Sequence, residues 1–274
     1  MILDGKKLSN EITDNIQKEI AKIDKKIVFA IIWVGNDEAS SIYVNKKIAT
    51  CESVGIIPKL FHLNADVLEE ELLELIDKLN NDDEVVGILV QSPIPKHLDI
   101  NKCFNRISPD KDIDGFSVAS SGRLFLGNES FVPCTPKGIM RLLDCYNIPL
   151  KGKSVCIINR SNIVGKPLLH LLVNRDATVT MCHSKTINIA SYTKNADIVI
   201  SAVGKPNFIT GDMIKSGAVV IDVGISRVNG KVVGDVDFES ANDKASYITP
   251  VPGGVGPMTI AMVLENILYA VREK

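Results

Sequence analysis

The chain has 274 residues, with 31 Lys and Arg against 33 Asp and Glu for a net charge of −2, and 45% of it is hydrophobic. That is the profile of a globular protein of two compact domains or one large one. The near-neutral balance, with no basic stripe interleaved with aromatics, excludes a general nucleic-acid binder.

No apolar run reaches the roughly eighteen residues a membrane span needs, and MILDGKKLSNE carries charges where a secretory signal has its apolar core. The expectation is a cytoplasmic protein without membrane contact. Six cysteines lie scattered with no CxxC pair, and four histidines are equally dispersed. This predicts reduced thiols serving as core filler, and no metal site.

Leu8, Ile12, Ile16, Ile20 and Ile23 recur at helical spacing, so residues 6–24 form an amphipathic opening helix. Ile27 to Val34 is a continuous apolar run stopped by Gly35-Asn36-Asp37, the pattern of a strand buried on both faces. A helix over 38–54 follows. On it Ser40, Tyr43 and Lys47 stand at i, i+3 and i+7, on one face. Such a Tyr/Lys pair also suits an ordinary amphipathic surface.

A helix over 68–79 precedes the buried strand 85–90, which ends at Gln91-Ser92-Pro93-Ile94-Pro95. A polar amide is thereby placed at the carboxyl end of the sheet, where open α/β sheets bind ligands. The loop Pro109 to Phe116 offers a carboxylate in a glycine-punctuated stretch that, taken alone, also suits a solvated turn. Alternating strands and helices imply βαβ units on a parallel sheet.

A Gly/Ser/Pro-rich passage over 117–136 interrupts this rhythm and places a domain boundary near residue 120. After a helix over 138–146, a second series supplies strands 154–158, 178–181, 197–202 and 218–223. The first of these runs into Asn159-Arg160-Ser161-Asn162-Ile163-Val164-Gly165-Lys166-Pro167. Such a strand, polar turn and helix start suit either an anion site, in which the helix dipole and free amides receive a pyrophosphate, or an ordinary strand-turn-helix unit that binds nothing.

The second strand ends in Cys182-His183-Ser184-Lys185-Thr186, without the carboxylate that bonds a ribose hydroxyl in NAD enzymes. Hydroxyls and a cation, with Arg160 opposite, suit the 2′-phosphate of NADP. Val203-Gly204-Lys205-Pro206 and Val223-Gly224-Ile225 follow their strands as turns that let backbone approach a cofactor.

The run Thr249 to Thr259 (TPVPGGVGPMT) comes next. Its prolines stiffen it and Gly253-Gly254 leaves amides bare, fitting either a ligand-facing loop or a stiff connector. An apolar helix over 258–272 closes the chain.

YVNKK, VQSPIP, PDKDIDGF, PCTP, RSNIVGKP and TPVPGGVGPMT, in this order and spacing, closely resemble the bacterial bifunctional methylenetetrahydrofolate dehydrogenase/cyclohydrolase family. The resemblance implies an α/β protein of two domains with a cleft between them. The first is a three-layer, folate-binding catalytic domain over 1–120, with helix 258–274 placed to pack back on it. The second is a Rossmann-type NADP-binding domain over 121–257.

It further implies NADP as cofactor and tetrahydrofolate derivatives, with or without a polyglutamate tail, as substrates of a homodimer. Tyr43 would stack on the aminobenzoyl ring, and Lys47 would be the central catalytic group, held by Gln91. Asp114 would hydrogen-bond the pterin. Ser40, Ser92, Pro93, Pro250, Pro252, Gly253 and Gly254 would line the folate site, the last four where folate and nicotinamide meet.

Asn159, Arg160, Ser161, Ser184 and Ile225 match cofactor positions. Two residues depart from the family pattern: Ser92 stands where Leu is common and Asn159 where Gly is. The rival readings are a two-domain NADP dehydrogenase of another small substrate and a non-catalytic nucleotide-binding homologue.

Overall fold

A computed structural model describes residues 1–272. By backbone packing the chain divides into two compact units, one of residues 11–132 with those from Ile260 on, the other of Met1–Asn10 with Pro133–Thr259. Two helices, α1 (Gly5–Ile20) and α10 (Val255–Arg272), each begin in the second of these units and end in the first.

The unit built on residues 11–132 carries β1 (Val28–Val34), α2 (Glu38–Ser53), β2 (Ile57–Leu63), α3 (Glu69–Asn80), β3 (Val85–Val90), α4 (Ile100–Arg106) and α5 (Val118–Phe125). Its sheet has the order β2-β1-β3, all parallel. Val28, Ala30, Ile32 and Val34, alternate residues of β1, pack with Leu72, Ile76 and Leu79 of α3 and Cys103 and Phe104 of α4. Phe29 and Ile31 point the other way and are equally buried, as the apolar run predicts for a strand covered on both faces.

Several elements escape the sequence pattern, β2 and α5 among them. Strand β2 (IPKLFHL) is an edge strand that is exposed along much of its length, so it lacks a continuous apolar run. Helix α5 lies inside the Ser/Gly-rich passage, capped by the Ser117 side chain, which accepts from Ser120 N.

The other unit holds α6 (Cys134–Cys145), β4 (Ser154–Ile158), α7 (Gly165–Val173), β5 (Thr178–Cys182), α8 (Ala190–Thr193), β6 (Ile198–Ser201), β7 (Val219–Asp222), the hairpin of β8 (Ser226–Val228) and β9 (Lys231–Val233), α9 (Phe238–Asn242) and β10 (Tyr247–Ile248). Its parallel sheet runs β10-β7-β6-β4-β5, so the order reverses direction about β4, between β4 and β6. In open α/β sheets ligands sit at such a switch point, outside the carboxyl ends of the strands. The amino terminus extends this sheet: Ile2 bridges Ile248 in parallel, Leu3 N donates to Ile248 O, and Ile248 N donates to Met1 O.

The break between units falls at 132/133, beyond the position near 120 expected from composition. The intervening segment is tied to α10 by side chains: Phe131 meets Tyr269 edge-on, and Asn266, fully buried, donates from Nδ2 to Ile113 O (2.7 Å) and Val132 O (2.9 Å). No described helix is long and apolar enough to cross a membrane.

Asn266→Leu removes one amide serving two buried carbonyls. It should cost roughly 2–4 kcal/mol in urea unfolding, at unchanged slope, because each orphaned acceptor keeps its desolvation penalty.

Candidate active site

Helix α2 starts at Asp37, whose carboxylate accepts from Ser40 N at 2.7 Å. The inward face of α2 then runs Ser40, Val44, Lys47, Cys51, all at or below 9% exposure, while Tyr43 beside it is 37% exposed. Burial pushes the Cys51 thiol up to about 12, with Lys47 one turn away pulling the other way. Burial also raises the Tyr43 phenol.

Lys47 Nζ donates to Gln91 Oε1 at 3.0 Å, and Gln91 Nε2 donates to Ser92 O at 2.7 Å. Gln91 N in turn donates to Ile32 O, so the residue that holds Lys47 is itself a continuation of the sheet. Ser92 and Pro93, joined by a cis peptide, follow at the surface.

The loop after α4 runs alongside β3. Ile88 bridges Asp112 in parallel, with Ile88 N donating to Lys111 O, and Asp114 lies two residues further toward the same carboxyl edge. Lys111 and Asp112, which the sequence reading left without a role, hold this loop. Buried Lys111 donates from Nζ to the carbonyls of Leu79, Asn80 and Asp82 at 2.8–3.0 Å. Buried Asp112 accepts from Phe116 N, Ser117 N and Ser120 Oγ. Ser40, Tyr43, Lys47, Gln91, Ser92, Pro93 and Asp114 therefore belong to one unit.

The remaining site candidates belong to the other. Register pairs Ile158 with Cys182, so Asn159-Arg160 and His183-Ser184 leave adjacent strands side by side. Arg160, Ser184 and Lys185 are exposed, and among the described residues Arg160 pairs with no carboxylate. The Asn159 side chain turns into its own loop. Oδ1 accepts from Ser161 N, Ser161 Oγ and Gly165 N at 2.7–3.0 Å, and Nδ2 donates to Ala202 O across the switch point.

The Gly165 amide at the start of α7 is thus already capped by Asn159. Ile225 is 49% exposed, next to buried Gly224. The Pro250–Gly254 segment is anchored at both ends: Asp222 N donates to Thr249 Oγ1 (2.7 Å), and Lys6 N donates to Gly253 O (2.8 Å). A cavity of about 200 Å³ lined by Lys153, Asp197, Lys215 and Tyr247 lies at the opposite, amino-terminal end of this sheet, away from these residues.

The family model for the tetrahydrofolate dehydrogenase/cyclohydrolase catalytic domain matches residues 3–114, and that for the NAD(P)-binding domain of the same enzymes matches residues 133–274. The chain belongs to this family. A bifunctional protein FolD of Campylobacter hominis is 52% identical over 277 residues, covering 100% of this chain and 98% of that protein.

The crystal structure of the bifunctional enzyme FolD from Campylobacter jejuni superposes with a TM-score of 0.97 at 48% identity, covering 100% of this chain and 99% of that one. A Trypanosoma brucei FolD, solved with NADP cofactor and inhibitor, gives 0.95 at 36% identity, covering 100% and 97%. The family model counts the last helix with the NAD(P)-binding domain, whereas packing groups residues from Ile260 on with the other unit.

Within this family fold the sequence reading missed Asp222, Asp235 and Thr249. A signal was present: Asp222 interrupts the apolar run Ala218 to Val223, and a charge in such a run must be buried and supplied with donors. Asp222 is 4% exposed and accepts from the amides of Gly224, Asp235 and Val236, each at 2.9 Å. Burial, reinforced by the negative charge of Asp235, outweighs those three amides and raises its carboxyl from 3.8 to about 6.

A raised carboxyl stabilises the folded state below its unfolded value and loses that contribution as pH rises through its folded value. The unfolding free energy of the wild type minus that of Asp222→Asn should therefore fall by roughly 2–3 kcal/mol between about pH 4 and 6, read by urea titration across that range.

Proposed function

We propose that this protein oxidises 5,10-methylenetetrahydrofolate to 5,10-methenyltetrahydrofolate with NADP and then hydrolyses the product to 10-formyltetrahydrofolate. The observation that carries this reading is the Lys47–Gln91 bond at the carboxyl end of β3, beside half-exposed Tyr43, in a chain matched by both family domains.

NADP, when bound, supplies the acceptor for the hydride lost from the methylene carbon. The residues present fit it. Arg160 and Ser184 stand on neighbouring strand ends, the cation pairing with no carboxylate among the described residues, which suits a 2′-phosphate, and the sequence places no carboxylate at the end of β5. Asn159 commits its carboxamide to its own loop and to Ala202, which shapes the cofactor edge without adding a free side chain to it. We assign Ser161 and Ile225 to the same edge.

Tyr43 presents its ring for stacking on the aminobenzoyl group, and Asp114 serves as the pterin's hydrogen-bond partner. Ser40, Ser92, Pro93 and the Pro250–Gly254 backbone complete the folate contacts. In the hydrolytic step water bonds to the methenyl carbon and gives up both protons as that carbon becomes the formyl carbonyl, one to solvent and one to the ring nitrogen, which keeps the electron pair of its broken bond to the carbon. Gln91 Oε1 fixes one N–H of Lys47, leaving the other ammonium donors to stabilise oxyanion character in the tetrahedral adduct.

The function divides along the chain as 1–120 for folate and catalysis, with the closing helix, and 121–257 for NADP. Tetrahydrofolate derivatives, including polyglutamylated ones, are the substrates, in the cytoplasm. The exposed edge of β2, with Ile57 and Leu60 each about two-fifths exposed, supports a homodimer.

Purified protein given 5,10-methylenetetrahydrofolate should reduce NADP faster than NAD, followed by loss of methenyl absorbance. Reduction of neither cofactor would end this reading. Lys47→Met should lower cyclohydrolase turnover by about a thousandfold or more while folate binding persists. Near-full hydrolysis by this variant, measured on the methenyl substrate, would remove Lys47 from its role.

A further inference from the structure

We propose that Asp235, seated on Asp222, is the positioning residue of the cofactor edge, fixing the backbone of Val203–Lys205 and the base of the Ile225 loop against which NADP binds. The inference rests on the NADP reading above.

Asp235 is fully buried. Its Oδ2 accepts from Ser201 Oγ (2.9 Å) and Val203 N (2.6 Å), and its Oδ1 accepts from Lys205 N (2.8 Å). Those donors are the last residue of β6 and the turn that leaves it. Gly204, inside this turn, has φ +67 and a Cβ there would meet only open space, while the amides on either side of it are held by Asp235.

Asp222 performs the matching task one strand over. Its three amide donors close the base of the excursion that leaves β7, passes through Ile225 and the β8–β9 hairpin, and returns at Asp235. Ile209 N donates to Asp235 O, and Ile209 bridges Val236, so the backbone carrying the carboxylate is itself pinned.

Two glycines make the arrangement possible. A Cβ on Gly224 would strike the Asp235 carboxylate, and one on Gly234 would strike that of Asp222. Each carboxylate thus occupies the space a side chain would fill beside the other's loop. A third tie, Asn159 Nδ2 to Ala202 O, joins the β4 loop to the same strand end.

A loop that must lie flat against a ligand gains affinity when its conformation is set before binding. Six hydrogen bonds to two buried carboxylates set it here.

Asp235→Asn tests the assignment. The carboxamide keeps the volume but turns one acceptor into a donor facing donors, so at least one of Ser201 Oγ, Val203 N and Lys205 N is orphaned. The expected result is a rise of about tenfold or more in KM for NADP, with a matching loss in direct NADP titration, while hydrolysis of methenyltetrahydrofolate, which uses no cofactor, stays within about twofold.

An unchanged KM for NADP, or both activities falling in proportion, overturns the proposal, the second outcome marking a structural role only. Should this variant not fold, Ser201→Ala removes one donor and leaves the amides in place. A rise of roughly two- to fivefold in the same KM supports the proposal and an unchanged KM overturns it. The wild type is assayed first with both substrates, so failure of the NADP reading shows as an inactive parent, separately from any effect of Asp235.

Discussion

A parallel sheet brings the carboxyl ends of its strands to one edge, and the chain leaving each strand there turns with backbone N–H groups that no ladder partner reaches. Those groups need acceptors, and loops that water serves are loops that move. Both units of this protein meet the constraint with buried charged side chains. Asp112 takes the amides that follow Asp114 while Lys111 takes three carbonyls around the end of α3. Asp222 and Asp235 take the amides at the ends of β6 and β7. With the loops fixed from within, the outer positions are left for Asp114, Arg160 and Ile225.

Burying four charges is expensive, and among the described residues none of the three carboxylates is offset by a cation at contact distance. Burial raises the Asp222 carboxyl, and the charge of neighbouring Asp235 adds to that rise. Backbone amides and hydroxyls provide the compensation instead, three for each of Asp112, Asp222 and Asp235. Amide donors are fixed in direction, so they hold a carboxylate in one place, whereas a long cationic side chain would follow it.

What was legible in the sequence follows from what periodicity can encode. Strands β1, β3, β4, β6 and β7 are buried on both faces and stand out as apolar runs. Strand β2 does not, because as a half-exposed edge it mixes Pro58, Lys59 and His62 with its apolar residues. The β8–β9 hairpin was readable but unread: Asn229-Gly230 between Arg227-Val228 and Lys231-Val232 is a strong local turn signal, and both residues have positive φ.

The pairing of Lys47 with Gln91 was legible through ordered motifs. The direction of the Asn159 side chain was not, since one residue type serves equally as a ligand contact or as an internal cap. Asp222 and Asp235 differ from surface aspartates only in what folds over them.

The order in which the units are completed is set by their interleaving. Residues 1–10 belong with 133–259, and 11–132 with those from 260 on. During vectorial synthesis the first residues wait for β10, whose Ile248 they flank, across some 245 positions of chain. The unit of residues 11–132 likewise lacks the Asn266 amide until that residue, 134 positions beyond Val132, has emerged. Neither half can be made alone as a contiguous fragment with all its native contacts, so a nascent chain released early is incomplete in both units at once.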